Sequence, residues 1–126
     1  LYVPDVVIRT YEEDEWFTAD AIVVAAPNWK EARQRGCDAD MNDVVLEHRI
    51  KFVCDIAEQN EVDNLVFGAF GCGVFQQSPS RVAYLFSNYI YDKGFSNVVF
   101  AVVGKEQNVT PFFDVFGEYR YPEIIQ

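Results

Sequence analysis

The sequence predicts an α/β fold in one domain, residues 1–126, built on a mixed and largely parallel sheet. Apolar runs typical of buried strands alternate with amphipathic helical patterns along the chain. A glycine-rich segment joins one of these runs to the next helix, in strand–turn–helix order. Half of the 126 residues are hydrophobic and 16% are aromatic, which is enough for one sizeable core.

The N-terminal part of the chain is predicted to form strands. Tyr2 to Thr10 reads as a strand, Tyr11 to Glu15 as the charged turn of a hairpin, and Trp16 to Thr18 as its return. The continuous apolar run from Asp20 to Ala26 predicts a strand buried on both faces. Asn28 follows at the carboxyl end of this strand, where open α/β sheets place ligands, although a plain turn residue is the alternative interpretation.

The clearest helix is predicted from Asp40 to Gln59. Asp40 or Asn42 is suited to cap it, and Asn60 is suited to end it. Residues 29–39 are polar and fit either a loop or a short helix. The predicted apolar face of the long helix consists of Val44, Val45, Ile50, Val53, Cys54, Ile56 and Ala57.

A glycine-rich stretch follows the buried strand predicted from Leu65 to Phe67. Ser78 and Pro79 then have the types expected at a helix N-cap and first helical position. This order gathers backbone N–H groups and the positive end of a helix dipole, which together bind phosphate without a lysine. A tight turn with no ligand is the alternative, because the spacing matches neither phosphate-binding glycine motif. The glycines of this stretch are Gly68, Gly71 and Gly73.

The rest of the chain continues the alternation. A helix is predicted from Pro79 to Asp92 and a buried strand from Asn97 to Val103. Thr110 is predicted to cap a last helix that starts at Pro111 and ends at Gly117. Tyr119 to Gln126 is predicted to be a tail.

Composition disfavours several classes of function. The net charge of −10 argues against nucleic acid and anionic membranes as partners, whereas uncharged backbone amides can still bind phosphate. No apolar run approaches the roughly 20 residues of a membrane span, and the first residues, which include Pro4 and Arg9, do not predict a signal peptide. We therefore expect a cytoplasmic protein.

The thiols and carboxylates predict neither a metal site nor a nucleophile. Cys37, Cys54 and Cys72 form no CxxC pair and are expected to be free thiols. His48 is the one histidine, so zinc or a Cys72 nucleophile is disfavoured. The acidic residues of the predicted hairpin turn are expected to face solvent.

Several segments together resemble the microbial-type poly(ADP-ribose) glycohydrolases, which have a macrodomain-like fold. The most specific is Gly68 to Phe75, GAFGCGVF; the others are Ala25 to Asn28, Arg49, Val82-Ala83 and Val98 to Ala101. The resemblance spans nearly the whole chain, but it covers only the C-terminal half of a family member. It implies a macrodomain-like three-layer sandwich that is incomplete relative to the family.

The resemblance also implies a ligand, ADP-ribose or an ADP-ribosylated protein, with no cofactor and no metal. The GCGVF loop of such proteins wraps the diphosphate, and Phe75 would lie against the terminal ribose. Phe112, with Asn108 beside it, is the candidate for facing the adenine. The implied binding residues are Gly71, Cys72, Gly73 and Val74 as backbone donors, together with Phe75, Asn28, Asn108 and Phe112.

The catalytic signature of that family is missing. It consists of a triple glycine followed by a Gln-Glu-Glu run, and neither occurs in this sequence. Glu12 to Glu15 has no glycine loop ahead of it, so no catalytic residue is assigned, and the chain alone is expected to be inactive as a glycohydrolase. Three hypotheses follow: an ADP-ribose-binding domain, a piece of a hydrolase, and a structural or interaction module that self-associates through unpaired sheet edges.

Overall fold

The computed structural model describes residues 1–117, which form four strands and four helices. The predicted order of elements is confirmed, and the ambiguous segment after the hairpin is a short helix. The elements are β1 Tyr2–Arg9, β2 Trp16–Ile22, α1 Trp29–Gln34, α2 Ala39–Gln59, β3 Asn64–Phe67, α3 Pro79–Ile90, β4 Asn97–Phe100 and α4 Glu106–Phe116. The predicted tail lies outside the described residues. None of the described helices is both long and apolar enough to cross a membrane.

The first two strands form an antiparallel hairpin, as predicted. Tyr2 pairs with Ile22 at one end and Arg9 with Trp16 at the other. The strand predicted from Asp20 to Ala26 is wrong in its bounds and in its burial. Strand β2 ends at Ile22, because its partner β1 begins at Tyr2, the residue that pairs with Ile22. Most residues of β2 are exposed rather than buried on both faces.

The long helix α2 starts one residue earlier than predicted, and it buries most of the predicted face. Asp38, not Asp40 or Asn42, is its N-cap, and the Asp38 carboxylate accepts a hydrogen bond from the Met41 backbone N–H at 2.7 Å. Asn60 caps the other end, as predicted. Valines 44 and 45 are exposed, since they fall off the stripe at spacings of three and four that faces the core. That stripe is Leu46, Ile50, Val53, Cys54 and Ala57.

Strands β3 and β4 pair in parallel, and only one face of the pair is covered. Leu65 and Phe67 point toward the helices, whereas Val66 is 73% exposed on the other face and its β4 neighbour Val99 is 53% exposed. Strand β4 ends at Phe100, short of the predicted bound, although the Ala101 N–H still donates to the Phe67 carbonyl at 2.7 Å. We call the exposed side of this pair the open face; it reflects a sheet that is incomplete.

The core lies between the covered face of β3–β4 and helices α2, α3 and α4. Helix α3 contributes a stripe that includes Leu85 and Phe86. Five phenylalanine rings form its centre, with neighbouring ring centroids 4.4 to 5.6 Å apart. These rings are Phe67, Phe86, Phe100, Phe112 and Phe116.

The last helix starts one turn before the predicted position. It begins at Glu106 with Lys105 as N-cap, so Thr110 is not a cap and Pro111 lies inside the helix. Pro111 has no N–H to donate to the Gln107 carbonyl four residues earlier, so that helical hydrogen bond is missing. Gly117 ends α4 in the left-handed conformation, as predicted, with φ +79°.

An ion-pair network fastens the connection between α3 and β4 to the end of α2. The Lys93 ammonium, on a side chain only 15% exposed, lies 2.6 Å from an Asp55 oxygen and 2.7 Å from a Glu58 oxygen. Hydrogen bonds from Lys51 and Lys93 lower the pKa of the Asp55 carboxyl. Hydrogen bonds to Asp55 and Glu58 raise the pKa of Lys93.

We expect Lys93→Met to lower the free energy of unfolding by about 1 kcal/mol at pH 7. The depressed pKa of Asp55 means that this contribution is present above about pH 4 and is lost as the pH falls through the folded-state value. On the alkaline side the raised pKa of Lys93 means that the contribution is complete below about pH 10 and is lost as the pH rises through the folded-state value. Urea unfolding at pH 7 and pH 3 checks this, with Lys105→Met as control, since Lys105 is exposed and has no carboxylate partner among residues 1–117. If Lys93→Met lowered the free energy of unfolding by the same amount at both pH values, this prediction would be contradicted.

Candidate functional site

The glycine loop, residues 68–77, connects β3 to α3 through consecutive tight turns. Its first turn is closed by the Cys72 N–H, which donates to the Ala69 carbonyl at 3.0 Å, and its second by the Gln76 N–H, which donates to Gly73 at 3.0 Å. Ser78 then caps α3 by accepting from the Arg81 N–H at 3.4 Å, and proline follows at the first helical position, as predicted.

Gly71 and Gly73 have different roles in this loop. Gly71 has φ +75°, and a Cβ there would lie 2.8 Å from the Ala26 Cβ and 2.9 Å from the Gln77 Cγ. Any side chain at Gly71 would therefore displace its neighbours as well as strain the backbone. A Cβ on Gly73 would meet nothing within 4 Å, so open space lies beside this glycine.

Most of the predicted backbone donors have no hydrogen-bond acceptor in the described part of the chain. The N–H groups of Gly71, Gly73, Val74 and Phe75 have no acceptor among residues 1–117, whereas the Cys72 N–H is engaged inside the loop. Four such N–H groups within five residues form a concentrated set of donors for an anion.

The Cys72 thiol is suited to packing rather than to chemistry. Burial raises its pKa to about 11, so it stays protonated near neutral pH, and its Sγ lies 3.7 Å from the Phe70 carbonyl oxygen. His48 is exposed on α2. In the described part of the chain, no group of three His, Cys, Asp or Glu side chains is arranged to hold a metal ion.

A buried glutamine, which the sequence analysis missed, anchors the end of the loop. Gln77 is 3% exposed, and its backbone N–H donates to the Gly71 carbonyl at 3.0 Å. Its side-chain amide exchanges two hydrogen bonds with the Asn42 amide, at 2.8 and 2.9 Å. The same nitrogen donates to the Pro27 carbonyl at 2.8 Å. One side chain thus connects the loop to α2 and to the segment after β2.

The segment after β2 lies directly against the loop. Lys30 donates its backbone N–H to the Phe75 carbonyl at 3.1 Å, and Arg49 of α2 donates to the Ala25 carbonyl at 2.5 Å. Asn28 therefore lies beside the loop, and its role in ligand binding stays a prediction. Its side-chain oxygen caps α1 by accepting from the Glu31 N–H at 3.1 Å.

The two predicted residues of α4 occupy contrasting positions. Asn108 is half-buried near Gly104. A Cβ added to Gly104 would lie 3.6 Å from the Asn108 amide nitrogen. Phe112 is 4% exposed, with its ring 5.2 Å from that of Phe100, so it offers little surface to a ligand in this structure. Its assignment as the adenine-facing ring stays a prediction. A shallow depression beside Asn108 is lined by Lys105, Glu106, Gln107, Thr110 and Pro111.

The acidic hairpin turn faces solvent, as expected. Glu12, Glu13 and Glu15 are exposed, and Asp14 forms a surface ion pair with Arg9 at 2.6 Å. In the hairpin formed by β1 and β2, the Asp20 carboxylate accepts hydrogen bonds from the Tyr2 hydroxyl and the Asp5 backbone N–H.

The fold resembles one half of known poly(ADP-ribose) glycohydrolases. The enzyme from Deinococcus radiodurans in complex with ADP-ribose superposes with a TM-score of 0.82 and 27% identity, over 92% of this chain and 51% of that one. Its apo form gives 0.81 and 27%, over 91% and 52%. The enzyme from Thermomonospora curvata gives 0.82 and 26%, over 91% and 46%.

These likenesses are structural. No protein-family model matches the sequence, and no curated protein sequence matches it either. The chain spans about half the length of the solved structures that it matches. The macrodomain-like fold and the resemblance predicted from the GAFGCGVF segment are nevertheless confirmed, since the superposition covers more than nine-tenths of this chain.

We expect Gln77→Ala to destabilise the protein by about 2 kcal/mol, because it leaves the Asn42 amide and the Pro27 carbonyl without their buried partner. The matched control is Gln76→Ala at the neighbouring exposed position, which should cost about 0.5 kcal/mol or less. Urea unfolding measures both variants. Equal losses would show that the buried amide pair does not anchor the loop.

Proposed function

We propose that this chain, which has the fold of one half of a bacterial poly(ADP-ribose) glycohydrolase, binds ADP-ribose through its glycine loop. The observation that carries the proposal is the set of loop N–H groups without an acceptor among residues 1–117, located where β3 gives way to α3. Support comes from the Deinococcus radiodurans structure, which is a complex with ADP-ribose.

The chemistry of the loop suits a diphosphate. The N–H groups of Gly71, Gly73 and Val74 supply hydrogen bonds without desolvating a charged side chain, and the open space beside Gly73 admits the anion. Helix α3, 12 residues long, begins just after the loop and adds the positive end of its dipole. An acidic protein can thereby bind an anionic ligand despite its net charge.

In this proposal the remaining predicted residues contact the two ends of the ligand. Phe75, half-buried in the second turn of the loop, would lie against the terminal ribose. Asn28, on the segment that packs against the loop, would contact the same end. Asn108 and Phe112 follow the carboxyl end of β4 and would serve the adenine. Binding without cleavage is proposed, because the triple-glycine and Gln-Glu-Glu segments are not in this sequence.

The open face of β3–β4 favours a second candidate function, that of an interaction module. Val66 and Val99 are exposed side by side there, although parallel strands are normally covered on both faces. In this proposal the open face binds a second copy of the chain, and the net charge of −10 opposes that contact most strongly at low salt.

For the ligand site, we expect Gly73→Ala to weaken ADP-ribose binding at least tenfold while changing the free energy of unfolding by less than about 0.5 kcal/mol. The added methyl group meets no protein atom but occupies the space proposed for the diphosphate. Isothermal titration calorimetry and urea unfolding measure the two quantities.

The control for this variant is Gly94→Ala, which should show the opposite pattern. Gly94 has φ +73° and lies outside the loop, so alanine there costs about 1 kcal/mol of stability and leaves affinity unchanged. Absence of binding by the wild-type chain at millimolar ADP-ribose would refute the proposed function.

For the interaction module, we expect the chain to associate more at 500 mM than at 50 mM salt, because salt screens the repulsion between copies. Size-exclusion chromatography with light scattering measures this. Val66→Lys should return the chain to a monomer, whereas Met41→Lys, an equally exposed position on α2, should not. A monomer at both salt concentrations would rule out this candidate.

A further inference from the structure

The basic residues of this acidic chain fall into two groups. The chain has 20 acidic and 10 basic residues, so carboxylates outnumber cations two to one. Among residues 1–117, five cations form ion pairs: Arg9, Arg35, Lys51, Arg81 and Lys93. The four without a carboxylate partner in that range are Lys30, Arg33, Arg49 and Lys105.

Three of these unpaired cations border the glycine loop or the segment that packs against it, and Arg33 is attached to the loop by its side chain. Its Nη2 donates to the Gln76 Oε1 at 3.0 Å, and its Cζ lies 5.9 Å from the centroid of the Trp29 ring. Gln76 closes the turn that begins at Gly73. The Gln76 side chain therefore holds the Arg33 guanidinium close to the turn whose N–H groups have no acceptor among residues 1–117.

We infer that Arg33 is the charged contact of the anion that binds the glycine loop. This inference rests on the proposed function and adds to it, because the sequence predicted a site made of uncharged amides alone. The amide oxygen of Gln76 orients the guanidinium without neutralising it, so the full positive charge and the remaining N–H donors stay available. A planar guanidinium matches the oxygens of a phosphate with two parallel hydrogen bonds.

Arg35 shows what a purely structural arginine looks like on the same helix. Its Nη2 lies 2.5 Å from the Glu31 carboxylate, a surface pair one helical turn apart. Arg33 instead faces the loop and has an uncharged partner, which leaves its charge unused in the absence of a ligand. The two arginines are two residues apart, so they form a matched pair for substitution.

The test compares Arg33→Gln with Arg35→Gln, which remove the same charge from the same helix. We expect Arg33→Gln to weaken ADP-ribose binding about tenfold at 50 mM salt, and Arg35→Gln to change it less than twofold. Raising the salt to 300 mM should weaken binding by the wild type and by Arg35→Gln, but much less by Arg33→Gln, which has already lost the contact that salt screens. Calorimetric titration measures each affinity.

The conservative variant Arg33→Lys and a measurement of thermal unfolding separate the possible outcomes. Arg33→Lys retains the charge without the planar fork and should fall between the wild type and Arg33→Gln. Equal affinities for Arg33→Gln and Arg35→Gln, alongside normal wild-type binding, would overturn the role of Arg33 and leave the proposed function intact. Failure of the wild type to bind would overturn the proposed function itself and this inference with it. Thermal unfolding of each variant shows whether its fold is retained.

Discussion

The glycine loop depends on a close approach between Gly71, Ala26 and Gln77. The missing side chain at Gly71 allows the loop to turn back onto the segment after β2, since a Cβ would come within 2.8 Å of the Ala26 Cβ. The Gln77 amide then fastens the returned chain to Pro27 and Asn42. Interiors packed at crystal density resist such intrusions, so this one contact determines the path of the whole loop.

The sequence left two interpretations of the glycines open, as turn formers and as ligand contacts, and the structure supports the first at Gly71. Gly71 satisfies a steric requirement of the protein itself, and its positive φ is part of that requirement. Gly73 meets no such steric requirement among the described residues, so the packing there does not explain a glycine, and its contact with a ligand stays a proposal. This division of roles is visible only in three dimensions, because the sequence presents the two residues as equivalent.

Local signals allowed much of the fold to be predicted, and the errors have a common cause. Ser78 and Pro79 at the start of α3, and Gly117 at the end of α4, act through neighbouring backbone, so sequence suffices to find them. The phase of α2 and the start of α4 depend on tertiary packing, which sequence does not display. Gln77 and Arg33 were missed for the same reason: each has its side-chain partner 35 to 50 residues away.

Because the open face of β3–β4 is uncovered, the stability of this chain depends on what binds there as well as on its sequence. Anything that covers Val66 and Val99 in the folded state alone draws the folding equilibrium toward that state by mass action. The melting temperature would then rise with protein concentration or on addition of a binding partner, with no change in any residue. Folding and assembly are in that case coupled equilibria.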